Sequence, residues 1–483
     1  MRGSPLNGRL LFSGLTLAIG GSIGLMLLAS VNVGLWLSAF AALVLSFMLV
    51  SDRHRDYPVL MWVVCFNWLG IVAPILAADL MGIPLTFATL GSYREQAVNL
   101  NLVALIVFAF GIAVSIRTGG GLEAVQRDPP QAAAAVTVQT GVVAYFVSLG
   151  IAEFSSYIVS NIPQLQQPMI VLYLAKFIFV YLVAAAAFTE GRGYAWLVVI
   201  LAVEVVSGLT NFFGTFKEAF FLVLIALVAV ERRPTFRMWA FGLAAAGLVL
   251  FLSVLWTAVK PDYRRWVSGY SGEQIVVRTF QERVSWMADR MTTSDFDYWK
   301  SFNDMINRID NTYVFAQFLA QEDNGAVPEL RSRYVGGLEH VLMPRILFPG
   351  KEILDDSAVT SALTGRMIDK NTSISIGFIA EAYYDFGPGW MFVPVMLIGM
   401  TVGAAGRYFM TRRAPYVIRQ AFTATALFNF FQFGTNFNKA LGTFLVGFVV
   451  FALILKFAYP YFALRLAGGV VRPGRGIAAA GTE

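Results

Sequence analysis

The chain has 483 residues, of which 57% are hydrophobic and 14% charged, with a formal net charge of +6. That balance excludes a soluble globular fold and points to a polytopic membrane protein, whose basic excess reports topology rather than nucleic-acid binding. One cysteine, Cys65, and two histidines, His54 and His340, exclude an intrachain disulfide and a cysteine-rich or histidine-rich metal centre.

Taken in order, apolar runs near 20 residues predict spans at 10–30 and 31–50, read as an uncleaved hairpin. They continue at 58–77, 97–116, 136–159, 169–188, 194–213, 219–230 and 238–258, and resume at 390–410, 420–433 and 440–462. The expected fold is therefore all-α: a polytopic bundle of about twelve transmembrane helices with one long extracytoplasmic loop. It divides into an N-terminal membrane bundle at 1–258, a large loop at 259–389, three C-terminal spans at 390–465 and a tail at 466–483. An even count places both termini on one side. Of the 22 Lys and Arg residues outside the loop, 17 would share that side, so both termini are expected in the cytoplasm. In a bacterium the loop then lies at the periplasmic face of the inner membrane.

The loop carries 14 basic and 18 acidic residues, and ten of the 14 are arginine, the planar fork suited to phosphate. Arg264, Arg265, Arg278, Arg283, Arg290 and Arg308 are expected to pair with neighbouring carboxylates on solvated helix faces. The spacing of Phe302, Met305, Ile306, Ile309, Tyr313, Phe315, Phe318 and Leu319 predicts an amphipathic helix starting at Ser301, with Ser301 and Asp304 as a capping-box variant. A second amphipathic stretch covers 274–291. Both are expected to lie over the bundle as a lid.

Two patches in the loop carry candidate chemistry. In the first, Pro344 and Pro349 stiffen a turn that displays Arg345 and Lys351. Preorganised cations beside a membrane suit a pyrophosphate-bearing lipid head group; the alternative is a turn with snorkelling cations. In the second, Glu381 and Asp385 stand at i and i+4 on a helix leading to the span at 390–410, beside Tyr383, Tyr384 and the turn Gly387-Pro388-Gly389. At a water-lipid boundary, partial desolvation raises a carboxyl pKa toward general-base values. A structural pairing with Arg345, Arg366 or Lys370 is the competing reading.

His340, the one histidine in the loop, is a reserve base. Lys217, between the spans at 194–213 and 219–230, either meets lipid phosphate or anchors a short span, and Arg366 joins the phosphate-binding candidates. Glu153, Lys176, Glu204 and Lys456 fall in or near apolar runs, where ionisable groups face a bundle interior. No glycine-rich phosphate loop, Ser-His-Asp order or metal-spaced cluster is present.

About a dozen spans, a long late loop, the stretch Pro344-Arg345-x-x-x-Pro349-x-Lys351 and the run Ser375, Gly377, Glu381, Tyr383, Phe386 and Gly387 together resemble the Wzy-type O-antigen and oligosaccharide repeat-unit polymerases. The resemblance implies a metal-independent inner-membrane glycosyltransferase without a cofactor. Its substrates would be repeat units carried on undecaprenyl pyrophosphate, its surroundings membrane lipid, and its partners a chain-length-determining co-polymerase and a repeat-unit flippase, with no nucleic acid. An already activated glycan needs only two bound lipid-linked chains, a base for the acceptor hydroxyl and cations for the departing pyrophosphate. Arg345, Lys351 and Lys217 are assigned to pyrophosphate, Glu381 to the base and His340 to its reserve, with Asp385 a further catalytic candidate. An O-antigen ligase, and a polysaccharide transporter or flippase, are the alternatives.

Overall fold

A computed structural model describes residues 30–51, 57–118, 136–161, 166–211, 216–229, 235–271, 276–293, 296–343, 348, 350–351, 355–368, 374–412, 414–427 and 432–459. The expected span at 10–30, Arg345, Lys370 and the tail at 466–483 lie outside the described residues.

Among the described residues the chain is helical, with no strand. The first nine helices are α1 (Val33–Val50), α2 (Pro58–Leu80), α3 (Gly91–Thr118), α4 (Val138–Asn161), α5 (Gln166–Leu174), α6 (Lys176–Glu190), α7 (Tyr194–Thr210), α8 (Lys217–Ala229) and α9 (Phe236–Val267). The polar island adds α10 (Phe280–Thr293), α11 (Tyr298–Ile309), α12 (Tyr313–Asp323), α13 (Arg333–Leu342), α14 (Asp356–Thr364) and α15 (Phe378–Trp390). The chain continues through α16 (Phe392–Met410), α17 (Tyr416–Leu427) and α18 (Phe437–Leu453).

Among the described residues, eight helical stretches are long and apolar enough to cross a membrane: α1 to α4, the α5–α6 pair, α9, α16 and α18. α7 is a shorter apolar helix. The expected spans at 219–230 and 420–433 correspond to α8 and α17, of 13 and 12 residues. The described part of each is about 20 Å of helix, bordered at its C-terminal end by residues outside the described set. α9 has an excess: its 32 residues extend about 48 Å, longer than the hydrocarbon core of roughly 30 Å, and the surplus at its C-terminal end is polar, with Lys260, Asp262, Arg264 and Arg265.

Small residues set the closest helix pair. A Cβ on Gly399 would stand 2.2 Å from the Phe108 carbonyl, and one on Gly111 2.2 Å from the Met396 carbonyl. Side chains at these positions would drive α3 and α16 apart, which is how small residues govern helix association in lipid.

The island is threaded into the bundle as well as laid upon it. Pro74, inside α2, has no N–H to offer the Gly70 carbonyl one turn earlier. The backbone N–H of Asn311 takes that place, donating to Gly70 at 3.1 Å. Gly70 leaves room for it, since a Cβ there would lie 2.1 Å from Asn311 Nδ2. On the same helix Asn67 Oδ1 accepts the Phe433 N–H at 2.8 Å, and Phe378 donates its N–H to the Thr435 carbonyl at 2.8 Å. Three irregular segments, around Asn311, Gly377 and 432–436, thus meet in the bundle. Non-helical backbone survives at such depth only where its polar groups are paired.

The helix expected to run on from Ser301 is two helices. α11 begins three residues earlier, with Asp297 accepting the Lys300 N–H at 2.8 Å. It stops at Asp310, whose Oδ1 takes the Thr312 N–H at 2.7 Å and starts α12. A short carboxylate side chain that captures backbone N–H groups favours such a break. The stretch at 274–291 becomes α10, begun by a reciprocal capping box: Thr279 N–H donates to Glu282 at 2.8 Å and Glu282 N–H to the Thr279 hydroxyl at 3.4 Å.

Asp310 also receives Arg94 of α3 at 2.5 Å, with the Arg94 and Asp310 side chains 8% and 0% exposed. Arg94→Ala strands a buried carboxylate and is expected to cost about 3–5 kcal/mol. Thermal unfolding of the purified protein in detergent reads this as a clearly lowered midpoint, and an unchanged midpoint would remove the clamp from the account.

Candidate functional site

Two polar centres form at the island end of the bundle, and they divide the expected site residues between them. The first surrounds Glu381. Gly377, at φ +83°, starts α15 in a backbone conformation that glycine adopts without strain, and packs so closely that a Cβ would lie 2.1 Å from the Phe433 carbonyl. That places Glu381, in the first turn of α15, against the first residue of α18. Its Oε2 accepts the Phe437 N–H at 2.7 Å and its Oε1 accepts Arg333 Nε at 3.3 Å.

Glu381 is 1% exposed, whereas the expectation placed it at a water boundary. The difference arises because the island folds over it: α13 delivers Arg333, a partner other than Arg345, Arg366 or Lys370. Burial pushes the Glu381 carboxyl up to about 7, against the opposing pull of the Phe437 N–H and Arg333, with Asp356 adding to the rise.

Asp385, one turn on, is spent on the start of α13. Its carboxylate accepts the Ser332 hydroxyl at 2.7 Å, the Arg333 N–H at 3.0 Å and the Tyr334 N–H at 2.7 Å. That is the work of a helix cap. His340 lies half-buried in the last turn of α13, and its carbonyl accepts a hydrogen bond from Lys351 Nζ. The island thus gathers Glu381, Asp385, His340 and Lys351 about α13 and α15, and leaves Arg366 exposed beyond α14. Nearby, Lys439 of α18 pairs with the buried Asp356.

Lys217 belongs to the second centre. It opens α8; Lys260 and Arg264 stand one turn apart on the polar C-terminal end of α9; Arg308 lies in the last turn of α11. α9 packs against both α8 and α11. The charged groups acting on Lys260 are three cations, Arg308, Arg264 and Lys217, and Arg308 also acts on Lys217 and Arg264. Burial, opposed by Glu218 and reinforced by Arg308, holds the Lys217 ammonium below its usual range. Like charges gathered at a half-buried rim destabilise one another, and phosphate oxygens relieve that repulsion.

Four more loop arginines have contacts of their own. Arg265 and Arg290 share Asp262 at 2.6 and 2.8 Å, as expected of solvated faces. Arg278 covers the Trp266 ring at 5.3 Å, and Arg283 donates to the Thr210 carbonyl at 2.5 Å. Arg264 and Arg308, expected on solvated helix faces, also lie close enough to Lys260 for their charges to act on it. One signal was available: Lys260 and Arg264 at i and i+4 directly after an apolar run.

Deeper in the bundle, Lys176 and Glu204 form an ion pair at 2.8 Å, with side chains 0% and 1% exposed. Tyr145 donates to Glu204 at 2.6 Å and Lys176 to Tyr173 at 3.2 Å. Glu153 and Lys456, expected to face the interior, are exposed on the bundle surface. No group of three or more His, Cys, Asp or Glu suited to a metal ion occurs among the described residues.

The profile of a domain of unknown function, DUF8712, matches residues 93–464, and the chain belongs to that family. No curated protein and no solved structure matches the chain.

The Glu381 carboxyl binds its proton more tightly in the folded protein than in the unfolded chain, so stability is expected to fall as pH rises from about 4.5 to about 7. The loss attributable to this group is at most about 3 kcal/mol. Thermal midpoints across that window should flatten in Glu381→Gln, and a slope identical to that of the unmodified protein would show that the carboxyl does not titrate there.

Proposed function

We propose that the protein is a membrane glycosyltransferase that polymerises oligosaccharide repeat units carried on undecaprenyl pyrophosphate. In this reading twelve spans cross the bacterial inner membrane, both termini are cytoplasmic and the island faces the periplasm, beside a flippase and a chain-length co-polymerase. The observation that supports it is the convergence of Lys217, Lys260, Arg264 and Arg308 where α9 leaves the bilayer. A lipid-linked pyrophosphate presents its charge at that level, with its tail in the membrane.

The chemistry follows from the charges. The acceptor hydroxyl oxygen attacks the anomeric carbon of the donor as the bond to the pyrophosphate breaks. The four cations neutralise the leaving group, in which negative charge grows through the transition state. The acceptor proton passes to a base. Glu381 has the matching proton affinity but is sealed by Arg333 and the Phe437 N–H, so its use as the base requires α13 to swing away. His340, half-buried, is the reserve; Arg345 and Lys351 stay assigned to pyrophosphate in this reading, with Lys351 held beside α13 rather than at the rim.

Charge-assisted contacts contribute about 1.5–3 kcal/mol each, so Lys260→Ala with Arg308→Ala is expected to raise the KM for the lipid-linked donor at least about tenfold. Chain elongation by protein purified in nanodiscs measures this, with Arg265→Ala, whose guanidinium pairs with Asp262, expected to behave as the unmodified protein. Unaltered elongation in the double variant at normal expression would eliminate the cluster as the donor site. If Arg345→Ala and Glu381→Gln both leave polymer length and yield unchanged, those two assignments fall. A deletion strain that accumulates single unpolymerised repeats favours polymerase over ligase.

One observation favours transport as a second reading: the Lys176–Glu204 ion pair buried within the bundle. Paired ionisable groups inside a membrane bundle mark substrate and ion pathways. Retained repeat-unit translocation after replacement of the island would support it.

A further inference from the structure

α13 has three distinct sides. At about 100° per residue, Tyr334 and Gly337 fall on one, turned into the bundle. Tyr334 stacks on Phe437 with ring centres 4.2 Å apart, and a Cβ on Gly337 would lie 3.2 Å from the same ring. Glu339 and His340 fall on a second, polar side, where Glu339 pairs with Arg331. Between them run Val335, Leu338 and Leu342, which are 56%, 45% and 64% exposed. On α15, Phe386 meets the Tyr334 ring with centres 5.6 Å apart, and Trp390, 73% exposed, ends the helix, separated from α16 by Met391 alone.

The level of this patch is set by its neighbours. Phe437 is the first residue of the apolar stretch Phe437–Ala458, and α16 is another of the membrane-crossing helices. α13 packs on Phe437 and Asn438 at the start of α18 and on α15, which carries Trp390 to the start of α16, so it lies at the ends of two membrane-crossing helices. Exposed tryptophans mark that boundary, and an apolar side next to a charged one is the pattern of a helix lying in the interface.

We propose that α13 is an interfacial helix whose Val335, Leu338 and Leu342 face is seated, with Phe386 and Trp390, in the lipid of the adjoining leaflet. The partner is the bilayer itself. The inference rests on the membrane character of the bundle and is independent of the glycosyltransferase reading. Its consequence is local: Arg333, which covers Glu381, stands on a helix that lipid holds in place.

The single cysteine makes the test direct. In a Cys65→Ala background, Leu338→Cys and Glu339→Cys are labelled with an environment-sensitive fluorophore and the protein is placed in lipid nanodiscs. Quenching by a lipid spin-labelled near the head group should be at least about threefold stronger at 338 than at 339, and quenching by aqueous iodide should show the reverse order. Leu342→Cys repeats the measurement should the first variant fold poorly. Equal iodide access at 338 and 339 would overturn the proposal. Shielding of 338 from both quenchers would also overturn it, by showing that protein, such as a second copy of the chain, covers the face.

Discussion

A single absent hydrogen governs the architecture. Pro74 withholds an N–H from the Gly70 carbonyl inside a membrane helix, where an unpaired carbonyl is costly. Asn311 supplies the donor from the polar island, so the defect in α2 becomes the point where the island enters the bundle. Around it the other irregular segments settle, each with its backbone satisfied: Phe433 on Asn67, and Phe378 on Thr435. Arg94 and Asp310 fasten the same joint from α3. Both polar centres derive from it, because Arg308 lies three residues before Asn311 and the turn bearing Gly434 and Phe437 lies against it.

Much of this was legible in composition and periodicity. The all-helical class and the location of most apolar helices follow from runs near 20 residues, which only helices can carry through lipid. The partner of Gly70 was illegible: Pro74 announces an orphan carbonyl, but its donor is far away in sequence and is set by tertiary packing. Glu381 shows the same limit. Its place beside an apolar stretch correctly suggested a raised carboxyl, whereas the seal made by Arg333 and the Phe437 N–H depends on three elements meeting. Arg264 and Arg308 look like ordinary surface arginines until α8, α9 and α11 bring them together with Lys217 and Lys260.

The two centres suggest a division of labour. The cationic rim suits a polyanionic head group held at the edge of the bilayer, and its charges are crowded enough to gain from one. The Glu381 centre is closed, with a carboxyl poised near neutrality beneath α13. In the proposed reaction the rim would hold the lipid-linked donor, and Glu381 would take the acceptor proton only once Arg333 had moved off it.

The claim that the rim is a pyrophosphate site is tested most directly by equilibrium binding of undecaprenyl pyrophosphate and of undecaprenol to the purified protein in nanodiscs. The account predicts that the pyrophosphate binds on the order of 10–100-fold more tightly, and that added salt narrows the difference by screening the partly exposed charges. Equal affinities for the two lipids, unaffected by salt, would contradict it.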